Sequence, residues 1–265
     1  MELSGKMNEI EHAKEEKATN SVNLATRRSA NEKFARADFD GWIFDNLKIN
    51  PGSSVLDVGC GDGKHLFESL RLASPNGSVV GIDISQESLD KCMNEIKQRN
   101  LKNITVQFCD LTNIAETFPQ PKKFDRIYSS YAIYYTKDPA KTLKDCYGLL
   151  NTGGILFLCG PTDKSNKEFI TLAQKAGCYK KYSEWSGFLE KNIETLKNLI
   201  GNVEVSYFEN KIIYPNEDAL FDYWKSTQLY NKDLEESMRS VIAEEFKKKD
   251  TFSNTKITIG LRCLK

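Results

Sequence analysis

The run Val55-Leu-Asp-Val-Gly-Cys-Gly-Asp-Gly-Lys64 concentrates the residues with the clearest chemical use. Gly59, Gly61 and Gly63 alternate with other residues, and the carboxylates Asp57 and Asp62 stand among them. Glycine is required where backbone turns with positive φ or lies directly against a ligand. Between a strand-like run and a helix-like run, such a loop suits a nucleotide-like ligand at the carboxyl end of a strand, because the next helix begins with unpaired N–H groups. Two more carboxylates follow at the ends of apolar runs. Asp83 lies twenty residues beyond Gly63, where it either accepts the hydroxyls of a ribose or caps a helix. Asp110 either accepts from an adenine amino group, with Ile84 and Leu111 against the ring, or is a surface acid at a strand end.

The charge of the loop separates two ligands. A dinucleotide loop reads G-x-G-x-x-G, but Lys64 stands at the third glycine position and Gly63 comes one residue early. Asp57 and Asp62 oppose a pyrophosphate and favour a cation. S-adenosylmethionine, with a sulfonium, an ammonium and no phosphate, meets that requirement. Displacement at its methyl group needs mainly alignment, and a base only where the nucleophile arrives protonated. The chain has two histidines, His12 and His65, which argues against histidine triads and histidine-rich zinc sites. His65 reads as a packing or helix-surface residue. Tyr131, Tyr134 and Tyr135 are placed to hold an acceptor, either around a cationic amine or as an apolar wall. Arg27, Arg28 and Arg36 are candidates for a carboxylate of the ligand. No catalytic residue and no metal-binding set is assigned.

These residues need elements to hold them. Ser54–Val58 reads as a short buried strand, and Ser78–Asp83, Ile104–Cys109, Phe124–Ser129 and Ile155–Cys159 read as four more strands. Helices are expected over Lys64–Ala73, from a Ser85 cap to about Asn100, and over Pro139–Leu150, the last stopped by Gly153-Gly154. Strands alternating with helices imply parallel βαβ units in one open sheet, with helices on both faces. Before them, the apolar spacing over 22–47 predicts one or two helices, broken near Asp40-Gly41. After them come helices over Lys167–Ala176, Ile193–Leu199, Asp218–Tyr230 and Leu234–Phe246, and strands over Val203–Tyr214 and Lys256–Leu264. The chain has 265 residues, 37 basic and 37 acidic, so no general field gathers nucleic acid. No apolar run is long enough for a membrane span, and the charged N-terminus does not read as a signal peptide. Seven scattered cysteines without a C-x-x-C pair read as reduced thiols of a cytoplasmic protein.

Val55–Gly63, Asp83, Asp110-Leu111, Phe124–Tyr135 and Gly153-Gly154 together resemble the class I S-adenosylmethionine-dependent methyltransferases, closely over about residues 20–160 and beyond that only in layout. The resemblance implies a transferase with an α/β, Rossmann-like, seven-stranded sheet in order 3-2-1-4-5-7-6, strand seven antiparallel, flanked by helices. It implies an N-terminal helical lid over 1–45, a methyltransferase domain over 46–265 and an inserted substrate-cap region at about 162–202, where Tyr182 and Trp185 lie. The implied cofactor set is Asp57, Gly59, Cys60, Gly61, Gly63, Asp83, Ile84, Asp110, Leu111 and Ser129. In it the glycines cradle the methionine part, Asp57 holds the ammonium, and the Ser129 backbone lies nearby. Asp83 takes the ribose and Asp110 the adenine. Many relatives carry histidine where Tyr134-Tyr135 stand, so no base is carried over. The acceptor is expected to be a small molecule, because Ser129-Ser-Tyr-Ala132 replaces the N-P-P-Y-like tetrapeptide of enzymes acting on bases or glutamine. An amine is slightly favoured over an oxygen acceptor. A nicotinamide-dependent dehydrogenase and a non-catalytic cofactor-binding subunit are the competing functions. No nucleic acid or membrane partner is expected, and the oligomeric state is left open.

Overall fold

The computed structural model describes residues 21–119, 121–180 and 186–265. Seven strands, β1 (Ser54–Val58), β2 (Ser78–Asp83), β3 (Ile104–Phe108), β4 (Phe124–Ser130), β5 (Leu150–Pro161), β6 (Val203–Tyr214) and β7 (Phe252–Leu264), form one sheet. Their order is β3-β2-β1-β4-β5-β7-β6. The first five pair in parallel and β7 runs antiparallel to β5. This is the expected α/β sheet; β1, β4 and β5 are largely buried as their apolar composition requires, whereas β3, at the edge of the sheet, buries only Ile104. The helices are α1 (Ser21–Phe34), α2 (Phe39–Leu47), α3 (Lys64–Ala73), α4 (Gln86–Gln98), α5 (Ile114–Thr117) and α6 (Pro139–Gly148). Further along are α7 (Lys167–Lys175), α8 (Phe188–Lys191), α9 (Ile193–Ile200), α10 (Glu217–Lys225) and α11 (Glu235–Phe246).

The chain divides into two compact units. One comprises Phe39–Asp163, Gly187–Phe208 and Thr258–Lys265, and contains the ten residues of the implied cofactor set with Tyr131, Tyr134 and Tyr135, whereas Arg27, Arg28 and Arg36 fall in the other unit. Its core joins Ile43 and Leu47 of α2, Leu66 and Leu70 of α3, and Leu89 of α4 to Val55, Val79 and Tyr128 of the sheet. Each fully buried leucine or isoleucine there contributes about 1.5–3 kcal/mol. The other unit comprises the described residues of Met1–Asp38, Lys164–Ser186 and Glu209–Ile257. Its core is aromatic, built on Phe169, Tyr214, Tyr223 and Trp224. All seven cysteines are buried and unbridged. Among the described residues, no helix is long and apolar enough to cross a membrane.

Local signals set most boundaries. The Ser85 hydroxyl accepts the Ser88 N–H at 3.3 Å and starts α4. Asp138 accepts the Lys141 N–H at 3.0 Å and Pro139 opens α6. Three of the boundaries that differ from expectation have a cause in the hydrogen bonding around them. The early helical break falls between α1 and α2, because the Arg36 and Ala37 N–H groups donate to Asn210 Oδ1 and Ala35 bridges Ile212. Asp40 and Gly41 lie inside α2. Gly153-Gly154 do not merely stop α6; they lie within β5, where the Gly153 N–H donates to the Lys265 carbonyl and the Lys265 N–H to the Gly154 carbonyl. Finally, α10 ends at Lys225, because the Ser226 and Thr227 hydroxyls bond the carbonyls of Tyr223 and Trp224. Such local bonds compete with helix propagation.

Candidate active site

The glycine loop joins β1 to α3 and is tied to the end of β2. The Gly59 and Cys60 N–H groups both donate to the Ile82 carbonyl, at 2.8 and 3.0 Å. The Gly61 N–H donates to Asp83 Oδ2 at 2.8 Å, and the Ser85 N–H donates to Asp83 Oδ1 at 2.8 Å. Asp83 thus organises the loop, and the helix cap proper is Ser85. Gly59, Gly61 and Gly63 have φ of 81°, 53° and 89°, but they are glycine for different reasons. A Cβ at Gly59 would stand 2.2 Å from that of Ala132, and one at Gly63 would stand 2.6 Å from the Phe67 ring. At Gly61 it would meet nothing within 4 Å. Gly61 is therefore the position where the loop presents open backbone. The Cys60 thiol turns inward, donating to the Gly61 carbonyl at 3.8 Å, and Cys92 does so at 3.4 Å. Cys60 shapes the loop through its backbone while its side chain packs.

Asp57 is buried at the end of β1. The Tyr128 hydroxyl donates to its Oδ2 at 2.7 Å, and Tyr128 also lies 3.1 Å from the Ser69 hydroxyl. Burial pushes the Asp57 carboxyl up to about 7, against the Tyr128 hydrogen bond and the charge of His65. Such a group gains strongly from a cationic partner. At the end of β3, Asp110 Oδ1 accepts both the N–H and the hydroxyl of Thr112, at 2.9 and 2.8 Å. These bonds hold the Asp110 carboxyl below its ordinary range. Ile84 is exposed at 61% and Leu111 is half-buried. Ser129 is buried and its hydroxyl has no hydrogen-bond partner. An open Gly61, acids at the ends of three adjacent strands, an exposed apolar Ile84 and an orphaned Ser129 hydroxyl fit S-adenosylmethionine.

The tyrosines separate by burial. Tyr131 and Tyr135 are about one-third exposed, whereas Tyr134 is buried at 4%. Tyr134 packs against Tyr135 and Phe188, with ring centroids 4.8 and 6.3 Å away, and burial pushes its phenol well above the usual value. Tyr131 holds φ of 59°. This backbone is uncommon for an aromatic residue and costs about 1–3 kcal/mol. It is held by the Tyr131 N–H bond to the Cys159 carbonyl at 2.9 Å and by a 2.6 Å bond between the Tyr131 and Thr258 hydroxyls. Tyr214, Tyr223 and Trp224 are buried in the core of the other unit. There too, Arg27 bonds the Ser226 carbonyl and Arg28 pairs with Glu32. Tyr182 and Trp185 lie outside the described residues, as do His12 and the rest of the lid segment before residue 21.

Two features were not foreseen. Tyr128 is the hydrogen-bond donor to Asp57, a relation legible only as register partners on adjacent strands. His65, read as a packing residue, lies 2.9 Å from Asp40 Oδ1, while Lys64 lies 2.8 Å from Asp40 Oδ2. Burial raises the Asp40 carboxyl, but the bonds from His65 and Lys64 outweigh it and hold the group at about 2.

A family model described as a methyltransferase domain matches residues 49–211, and the chain belongs to that family. An aklanonic acid methyltransferase from Streptomyces sp. (strain C5) is 33% identical over 112 residues, 42% of this chain and 49% of that protein. A ubiquinone biosynthesis O-methyltransferase from Coxiella burnetii is 34% identical over 106 residues, 40% of this chain and 42% of that protein. The match spans less than half the length of either curated relative. The crystal structure of an arsenic(III) S-adenosylmethionine methyltransferase from Chlamydomonas reinhardtii has the same fold, with a TM-score of 0.52 at 17% identity. That likeness covers 81% of this chain and 64% of the other.

Proposed function

We propose that this chain transfers the methyl group of S-adenosylmethionine to a small-molecule acceptor by in-line displacement, with a nitrogen acceptor slightly favoured. The observation that carries this reading is the open backbone at Gly61 together with the buried carboxylate of Asp57 at the end of the preceding strand. Asp57 holds the ammonium, and Asp83 and Asp110 take ribose and adenine, with Ile84 and Leu111 against the ring. Bound S-adenosylmethionine supplies an electrophilic methyl on a good leaving group, so orientation carries much of the rate. Tyr131 and Tyr135 offer their partly exposed faces to the acceptor, and a cationic product is stabilised there. Tyr134 supports them from behind and does not serve as a base, because its phenol is held protonated by burial. Residues 1–45 act as a lid and residues at about 162–202 as a substrate cap, in a cytoplasmic enzyme.

A second reading is an oxygen acceptor, favoured by the O-methyltransferase name of the Coxiella relative. A dehydrogenase is not favoured, since the chain's family is a methyltransferase domain. The test is calorimetric titration with S-adenosylmethionine, S-adenosylhomocysteine and NAD, followed by a screen of amines and phenols. Binding of the first two without NAD is expected. Tight NAD binding alone overturns the reading, and fragmentation of a methylated product decides between nitrogen and oxygen.

A further inference from the structure

We infer that Asp40 is a positioning residue for the cofactor loop, acting from α2 through Lys64 and His65. The inference rests on the cofactor reading above. Lys64 and His65 are the first two residues of α3 and directly follow Gly63. That helix has no side-chain cap of its own, so its first turn has no local side-chain anchor. Asp40 supplies one from outside. Each of its two oxygens takes one partner, Oδ1 with His65 Nε2 at 2.9 Å and Oδ2 with Lys64 Nζ at 2.8 Å. A carboxylate beside the start of a helix is also favoured by the helix dipole.

The acid itself is held in place. Its neighbour Phe39 packs on Trp42 and Phe208, with ring centroids 5.9 and 5.5 Å away, and meets Tyr131 at 6.0 Å. Trp42 in turn meets Phe157 of β5 edge-on at 5.4 Å. The start of α2 is thus fixed by ring packing that does not depend on Asp40, and the carboxylate is presented from a rigid base. On the far side, the His65 ring lies edge-on to Tyr128 at 6.5 Å, and Tyr128 is the donor to Asp57. Asp40 therefore acts on both parts of the cofactor cradle. Lys64 and His65 hold the exit of the glycine loop, and His65 sits against the tyrosine that orients the buried carboxylate.

The test is calorimetric binding of S-adenosylhomocysteine to the full chain, to four single variants and to one double variant, with circular dichroism to confirm folding. Asp40→Asn is expected to weaken binding about three- to tenfold, the size of a partly exposed, two-partner ion pair. Glu68→Gln removes a charge from the same helix, in a pair with Arg71, and should leave affinity unchanged. Asp40→Glu keeps the charge but shifts the oxygens, and should weaken binding by less than Asp40→Asn. In a His65→Gln background the effect of Asp40→Asn should shrink, because Asp40 acts through that residue. An unchanged dissociation constant in folded Asp40→Asn, equal losses in Asp40→Asn and Glu68→Gln, or strict additivity with His65→Gln each overturns the inference while leaving the cofactor assignment standing. Failure of the wild-type chain to bind S-adenosylhomocysteine overturns the methyltransferase reading, and this inference with it.

Discussion

Asp57→Asn is expected to stabilise the protein at neutral pH while weakening cofactor binding. Burial raises the Asp57 carboxyl from an ordinary 3.8 to about 7 in the folded chain. Between those values the folded protein keeps a proton that the unfolded chain has already released, so stability falls as pH rises across this window. The shift corresponds to a penalty of about 4 kcal/mol, fully present above the folded value and absent below the unfolded one. The amide of the variant carries no charge at any pH, and its oxygen can still accept from Tyr128. Denaturant midpoints of both proteins, followed from about pH 4 to about pH 8, should therefore diverge in the variant's favour by up to about 4 kcal/mol. Calorimetry on the same samples should show weaker binding of S-adenosylmethionine, because the ammonium has lost its counter-charge. The expectation is a stability gained at the expense of function. A difference between the two proteins that stays constant over the pH range would refute the claim that an ionisable Asp57 is strained by burial.

Gly59→Ala should destabilise the fold by about 2 kcal/mol or more, since its Cβ would stand 2.2 Å from that of Ala132 on a backbone of positive φ. Gly61→Ala should cost only about 1 kcal/mol in thermal unfolding, from its positive φ, yet abolish cofactor binding by filling the cradle. Asp83→Ala should weaken S-adenosylhomocysteine binding by about 1.5–3 kcal/mol, because it frees the Gly61 N–H as well as removing a ribose acceptor; calorimetry on the folded variant checks it. Once an acceptor is found, Tyr135→Phe should keep most of the activity and Tyr135→Ala should lose it if the ring face holds a cation; loss in both would point to the hydroxyl.

The residues from Ser54 to Ala73 determine their own structure. An apolar run, three glycines and an amphipathic segment in immediate succession make strand, loop and helix, and these boundaries are the ones observed. The same holds for Ser78–Asp83 and Val203–Tyr214, whose β-forming runs carry the local signal. The alternation of strands and helices then set the parallel sheet, and the resemblance supplied its order. What depended on distant partners was not legible. The early helix breaks at residues 35–38 because Asn210 captures two of its N–H groups, not because of the Asp-Gly pair that marked the break locally. Gly59, Gly61 and Gly63 look alike in sequence, and only the positions of Ala132 and Phe67 single out Gly61 as the open one. Three neighbouring tyrosines were equivalent candidates until packing against Phe188 buried Tyr134 and left Tyr131 and Tyr135 at the surface. His65 became more than a packing residue only when α2 brought Asp40 to it. Backbone conformation is written in adjacent residues, whereas burial, charge pairing and open space belong to residues that meet only after the chain has folded.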